Sequence, residues 1–148
     1  MIVQKLSLYG PLSIRILAGI AFIAHGVPKL MDPAMAQGFF ATIGLPPEMA
    51  TPVGLLEIIG GIAILVGILT RISSILFIIE MIGATSTAKI SKGFVGGFEL
   101  DLLLMAISIS LLLTGPGRIS IEYDILRREI FPRGKDLVRQ VKYQESKK

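Results

Sequence analysis

The sequence contains no cysteine and no tryptophan, and its 148 residues include a single histidine, His25. Without cysteine the chain has no disulfide, no thiolate metal site and no CxxC redox chemistry of its own. Charge is scarce as well. Charged residues make up 18% against 52% hydrophobic ones, and the mean hydropathy is +0.72. A soluble core of this size cannot hide so much apolar surface, whereas a bilayer can. No Gly-rich phosphate loop, nucleophile triad or dinucleotide fingerprint is present. One imidazole is a poor basis for a metal site, and nothing in the residues implies a metal or a flavin.

What the sequence does have is four apolar stretches near the roughly 20 residues that cross the hydrocarbon. They run over about 12–30, 52–69, 72–88 and 98–113. The first is read as an uncleaved helix, because Arg15, His25 and Lys29 interrupt it and no small-residue cleavage site follows. Between the first two stretches, Phe39, Phe40, Ile43 and Leu45 sit among small and polar residues, which suits a short segment lying on the membrane surface. Gly44-Leu45-Pro46-Pro47 then stops any helix. Stretches two and three, joined only by Thr70-Arg71, must form an antiparallel pair. Serines and threonines such as Ser74, Thr85 and Ser108 are expected to bond between helices.

The expected fold is all-α: a polytopic membrane four-helix bundle over residues 1–120, followed by a basic amphipathic tail over 121–148. In the tail, Tyr123 to Phe131 places Ile125, Leu126, Ile130 and Phe131 around Arg127, Arg128 and Glu129, which predicts an interfacial helix ended by Pro132. Gly115 to Lys148 carries nine basic residues against five acidic ones, while Met1 to Thr114 carries six of each. The net charge of +4 therefore belongs to the tail and reads as attraction to anionic lipid, not to nucleic acid. Four spans put both termini on one side with Lys5, Arg71 and the tail, leaving Lys29, Lys89 and Lys92 opposite. The positive-inside rule assigns that first side to the cytoplasm, so the chain is expected in the cell membrane with both ends cytoplasmic.

Seven ionisable residues fall inside the spans: Arg15, His25, Lys29, Glu57, Glu80, Glu99 and Asp101. Each costs about 2.5–3.5 kcal/mol on insertion scales if it meets lipid, so such groups turn inward and pair. At about 100° per residue, Arg15, His25 and Lys29 lie within a sector of roughly 80° on the first helix. Helical rise places Glu57 roughly 8 Å below the outer surface, Glu80 near mid-membrane and Arg15 toward the inner end. Two uses are open: a network that fixes helix register, or a polar pocket between apolar walls. Buried pairs give little stability over apolar packing, so keeping several in so short a chain favours the pocket.

The order of these residues resembles the DoxX family. The matching pieces are Arg15 followed by His25-Gly26-x-x-Lys29-Leu30, then Glu57-x-x-Gly60-Gly61, Gly67-x-x-Thr70-Arg71, Glu99-Leu100-Asp101, and Thr114-Gly115-Pro116-Gly117-Arg118-x-Ser120. The resemblance covers about Arg15 to Asp124. It implies a four-helix membrane protein related to the DoxD-like subunits of thiosulfate:quinone oxidoreductase, and some relatives are linked to membrane complexes that handle oxidative and thiol stress. By similarity, Arg15, His25, Lys29, Glu57, Glu99 and Asp101 become site candidates, and burial reasoning adds Glu80. The resulting expectation is a quinone-linked oxidoreductase subunit working with partner proteins. His25 or Glu57 would exchange protons, while Arg15 or Lys29 would face negative charge on the quinone head group. A different class, a proton or solute transporter that self-associates to make a pore, uses the same charges with Glu80 as its middle step. A third is a non-catalytic anchor whose tail docks a partner.

Overall fold

The computed structural model describes residues 7–131; Lys5, the helix stop at Pro132 and six of the nine tail cations lie outside the described residues. Among the described residues, four apolar helices are long enough to cross a membrane: Gly10–Met31, Pro47–Val66, Thr70–Lys92 and Phe94–Thr114. Their regular α-helical parts are α1 (Gly10–Met31), α3 (Ala50–Val66), α4 (Thr70–Ala84) and α5 (Glu99–Thr114). A shorter helix, α2 (Pro33–Thr42), follows α1 directly. The Asp32 carboxylate accepts the Met35 amide at 3.0 Å and Pro33 opens the first turn, so the chain stops and restarts a helix within two residues. The third and fourth crossings each gain a turn from wide or tight helical segments at Thr85–Lys89, Ile90–Lys92 and Phe94–Phe98.

Polarity runs inside out. Leu17, Ile59, Ile79, Leu103 and Leu113 point outward, while Arg15, Glu57, Ser74, Asp101 and Ser108 are buried. That inversion is what lipid, and not water, selects. The apolar core is small: Ala18, Phe22, Ile64, Phe77, Met81, Leu104 and Leu111. At its centre the Phe22 and Phe77 rings stack with centroids 3.5 Å apart. Buried Ser74 and Ser108 donate to Thr70 O and Leu104 O, one turn back on their own helices, in place of the interhelical bonds expected of them.

Helices α1 and α3 touch backbone to backbone. A Cβ on Gly19 would stand 2.8 Å from Gly61 O, and one on Gly26 would stand 2.7 Å from Gly54 O. Each helix therefore contributes glycines seven residues apart, two turns along one face, and the pair closes along that seam. The break between the second and third crossings falls at Gly67–Leu69, not at Thr70-Arg71 as predicted. Gly67 adopts φ +71° and ends α3, with the Arg15 guanidinium carbon 2.8 Å from where its Cβ would be. No side chain fits there.

Beyond α5 the chain folds back under the bundle and closes the end that also holds the start of α1 and the α3–α4 link. Arg118 N donates to Leu8 O at 2.9 Å, and Glu122 N donates to Gly67 O at 3.1 Å. The amphipathic helix predicted over 123–131 is replaced by one wide turn, Ile121–Ile125, capped by Ser120, and then irregular chain. Its charges decide this: Glu122 and Glu129 are buried against the bundle while Ile125 and Leu126 face outward. Arg71 reaches Glu129 at 3.3 Å and Leu112 O at 2.8 Å, which holds the segment in place.

Candidate functional site

The end of the bundle away from this closure contains a cavity of about 530 Å³, within the range of small-molecule sites. α1, α3, α4 and α5 form its walls, and α2 with the following loop forms its roof through Phe39, Phe40, Ile43 and Leu45. Its floor is the core layer of Phe22, Met81 and Leu104.

The glycine seam sets the first polar contact. With α1 and α3 held close, Lys29 on α1 meets Glu57 on α3, and the two form an ion pair. Lys29 also donates to His25 O at 3.2 Å, so its ammonium is fixed from two sides. Glu57 and Glu80 of α4 line the same cavity. The Glu80 Oε2 is buried and meets no donor among the described residues. On the opposite wall Lys89 pairs with Asp101 at 2.6 Å, and Thr85 donates to the other Asp101 oxygen at 3.3 Å.

His25, Lys29, Glu57, Glu80 and Asp101 therefore line one cavity, as their sequence pattern implied. His25 is at the rim and exposed. Two candidates lie elsewhere. Glu99 accepts the Gly96 amide at 3.1 Å and shapes the turn before α5. Arg15 shares the face of Lys29 by helical angle, but fourteen residues at about 1.5 Å each put it roughly 21 Å along the axis. There its Nε donates to Ile64 O at 2.8 Å, Nη1 to Pro116 O at 2.8 Å, and Nη2 to Leu65 O at 2.7 Å and Ile119 O at 3.0 Å. A longer contact of 3.5 Å reaches Arg118 O. Arg15 staples α1 to the end of α3 and to the strap after α5. It does not reach the cavity.

Sequence reasoning missed Lys89, which it left in a loop. The wide turn Thr85–Lys89 carries α4 one turn further and brings this lysine back over Asp101. It also missed the acids of the closed end. The Glu122 carboxyl accepts backbone N–H groups of Ile130, Leu69 and Thr70, yet burial outweighs them and holds it above the usual carboxylate range.

The DoxX family model matches residues 10–90 of this chain. A Bacillus subtilis (strain 168) protein named "Putative oxidoreductase CatD" is 42% identical over 106 residues, covering 72% of this chain and 79% of that protein. "Uncharacterized membrane protein Rv3486" of Mycobacterium tuberculosis (strain ATCC 25618 / H37Rv) is 34% identical over 131 residues, covering 78% and 80%. "Inner membrane protein YqjF" of Escherichia coli (strain K12) is 36% identical over 124 residues, covering 80% and 94%. No solved structure matches. With half the chain matched by the family model and all four helices in place, this is a four-helix membrane protein of the DoxX family.

Proposed function

We propose that this chain is the membrane subunit of a quinone-linked oxidoreductase system and that its cavity holds a quinone head group or a small polar substrate. The observation that carries this reading is the lining itself: flat aromatic and aliphatic walls around two lysines and three carboxyl groups. A planar ring with oxygens at its edges would suit such a lining, held by its apolar walls and by the Lys29 and Lys89 ammoniums. When bound, a quinone supplies a carrier of two electrons and two protons. The oxidoreductase name of the Bacillus relative supports the class.

The residues of this chain then divide the work. Lys29 and Lys89 orient the ring and face negative charge on its oxygens. Glu57 and Glu80 stand at the base of the site as carboxyl groups able to exchange protons with the head group. His25, exposed at the rim, passes protons between water and those carboxyls. Electrons come from a partner protein, since no carrier is built from these side chains. By the distribution of basic residues, the closed end, with Arg71, Arg118, Arg127 and Arg128, faces the cytoplasm. The transporter reading is the weaker one, because the Phe22–Phe77 stack lies below Glu80 and gives a translocated ion no polar continuation.

The test is mass spectrometry of the gently solubilised protein together with quinone titration of wild type and Glu57→Gln. Co-purifying quinone, and binding that Glu57→Gln weakens at least tenfold, are the expected results. A purified protein free of quinone that binds none when titrated would end the proposal, as would quinone reduction by the intact complex unaffected by His25→Ala.

A further inference from the structure

The charged groups of the cavity come from every wall: His25 and Lys29 on α1, Glu57 on α3, Glu80 and then Lys89 along the third crossing, and Asp101 on α5. Outward of the Glu57 and Glu80 carboxyls the lining between α3 and α4 is apolar, with Val53 on one helix and Gly83 and Ala84 on the other. These two helices are tied by the short link Gly67–Leu69 and meet where the Phe77 ring lies against Gly60, 2.7 Å from where a Cβ would be. Past that contact come Glu57 and Glu80, and outward of them Val53 and Gly83 line the cavity from the two helices. Ile79, one turn before Gly83, is 62% exposed, so the outer side of this edge looks onto the bilayer.

Gly83 stands on the same edge. Thr85 faces α5 through its bond to Asp101, and two residues of helix turn Gly83 roughly 160° around α4 from it, toward α3. Gly19, Gly26, Gly54, Gly60 and Gly61 each have neighbours that a side chain would strike, whereas a Cβ on Gly83 meets nothing within 4 Å. A helix-interior glycine costs about 0.5–1 kcal/mol against alanine, and here neither a turn nor close packing accounts for it. The open space beside it belongs to the cavity.

We infer that the gap between α3 and α4 at Gly83 is a lateral portal for a lipid-dissolved ligand with a long apolar chain. The head group sits among Lys29, Glu57, Glu80 and Lys89, and the chain runs out between Val53 and Gly83 into the bilayer. This rests on the proposed ligand-binding role of the cavity and narrows its substrate from any small polar molecule to a tailed amphiphile. A bulky side chain at Gly83 should block the chain and spare the head-group contacts.

The experiment uses the full chain in lipid nanodiscs, with wild type, Gly83→Phe and Gly83→Ala, and two probes: a quinone bearing several isoprene units and the same ring without a tail. Comparing each variant with wild type for one probe cancels that probe's partition into lipid. Gly83→Phe should weaken the tailed probe at least tenfold and leave the tail-less ring within about twofold, with Gly83→Ala near wild type. If Gly83→Phe does not fold, Gly83→Leu takes its place. Equal effects on both probes, or none on either, overturn the portal and leave the head-group site standing. Failure of wild type to bind either probe removes the site and the portal together.

Discussion

Replacing Arg15 by lysine separates the two ends of the molecule. The guanidinium makes four bonds of 2.7–3.0 Å to Ile64, Leu65, Pro116 and Ile119 carbonyls, from both sides of a planar fork. An ammonium has three donors converging on one atom, so at least one of those carbonyls loses its partner. A hydrogen bond to a charged group contributes about 1.5–3 kcal/mol, and one or two such losses give an expected destabilisation of about 2–4 kcal/mol. Unfolding by SDS titration in mixed micelles, followed by helical circular dichroism, reads this directly. Quinone affinity measured on the same samples should stay within about twofold of wild type, because the cavity lies roughly two-thirds of a membrane thickness away. Full stability with lost binding in Arg15→Lys would show that the arginine serves the ligand, and the division of the bundle into a stapled end and a binding end would be wrong.

Three further outcomes follow from the same geometry. Lys29→Met leaves Glu57 buried without its cation and should cost about 3–5 kcal/mol by SDS titration, much of it recovered in Lys29→Met/Glu57→Leu; equal losses in single and double variants would deny the pair. Gly26→Ala should destabilise by about 1–3 kcal/mol by forcing α1 off the Gly54 carbonyl, whereas Gly83→Ala should stabilise by about 0.5–1 kcal/mol; a stabilised Gly26→Ala would refute the seam. Glu122 is held above the usual carboxylate range, so its contribution to stability is complete at low pH and falls as pH rises through its raised folded-state value. The difference in thermal midpoint between pH 5 and pH 8 should therefore shrink in Glu122→Gln, and an unchanged difference would mean that another group sets it.

The sequence could be read to this depth where signals are carried by side chains along one element. Span length and hydropathy located all four crossings to within a few residues, and Gly44-Leu45-Pro46-Pro47 marked the stop after α2. The cost of charge in lipid brought His25, Lys29, Glu57, Glu80 and Asp101 to one cavity. Arg15 was misplaced because its partners are carbonyl oxygens, which every residue has and no side-chain pattern announces. The tail was misread because Glu122 and Glu129 look like the polar face of a helix until Arg71 and the Leu69–Thr70 amides are brought against them. The α1–α3 seam was legible in principle. Gly19 and Gly26, like Gly54 and Gly61, repeat at seven residues, but a search for glycines four apart passes over that spacing.

The strap after α5 has a consequence for bioenergetics. Together with Arg15, Arg71 and the Phe22–Phe77 layer it stoppers one mouth of the bundle, so the acid and base groups of the cavity communicate with a single aqueous compartment. If the cavity carries the chemistry proposed for it, that chemistry is vectorial. In a sealed vesicle, every proton consumed or released would be drawn from or delivered to the cavity's own side, whichever side the electrons arrive from.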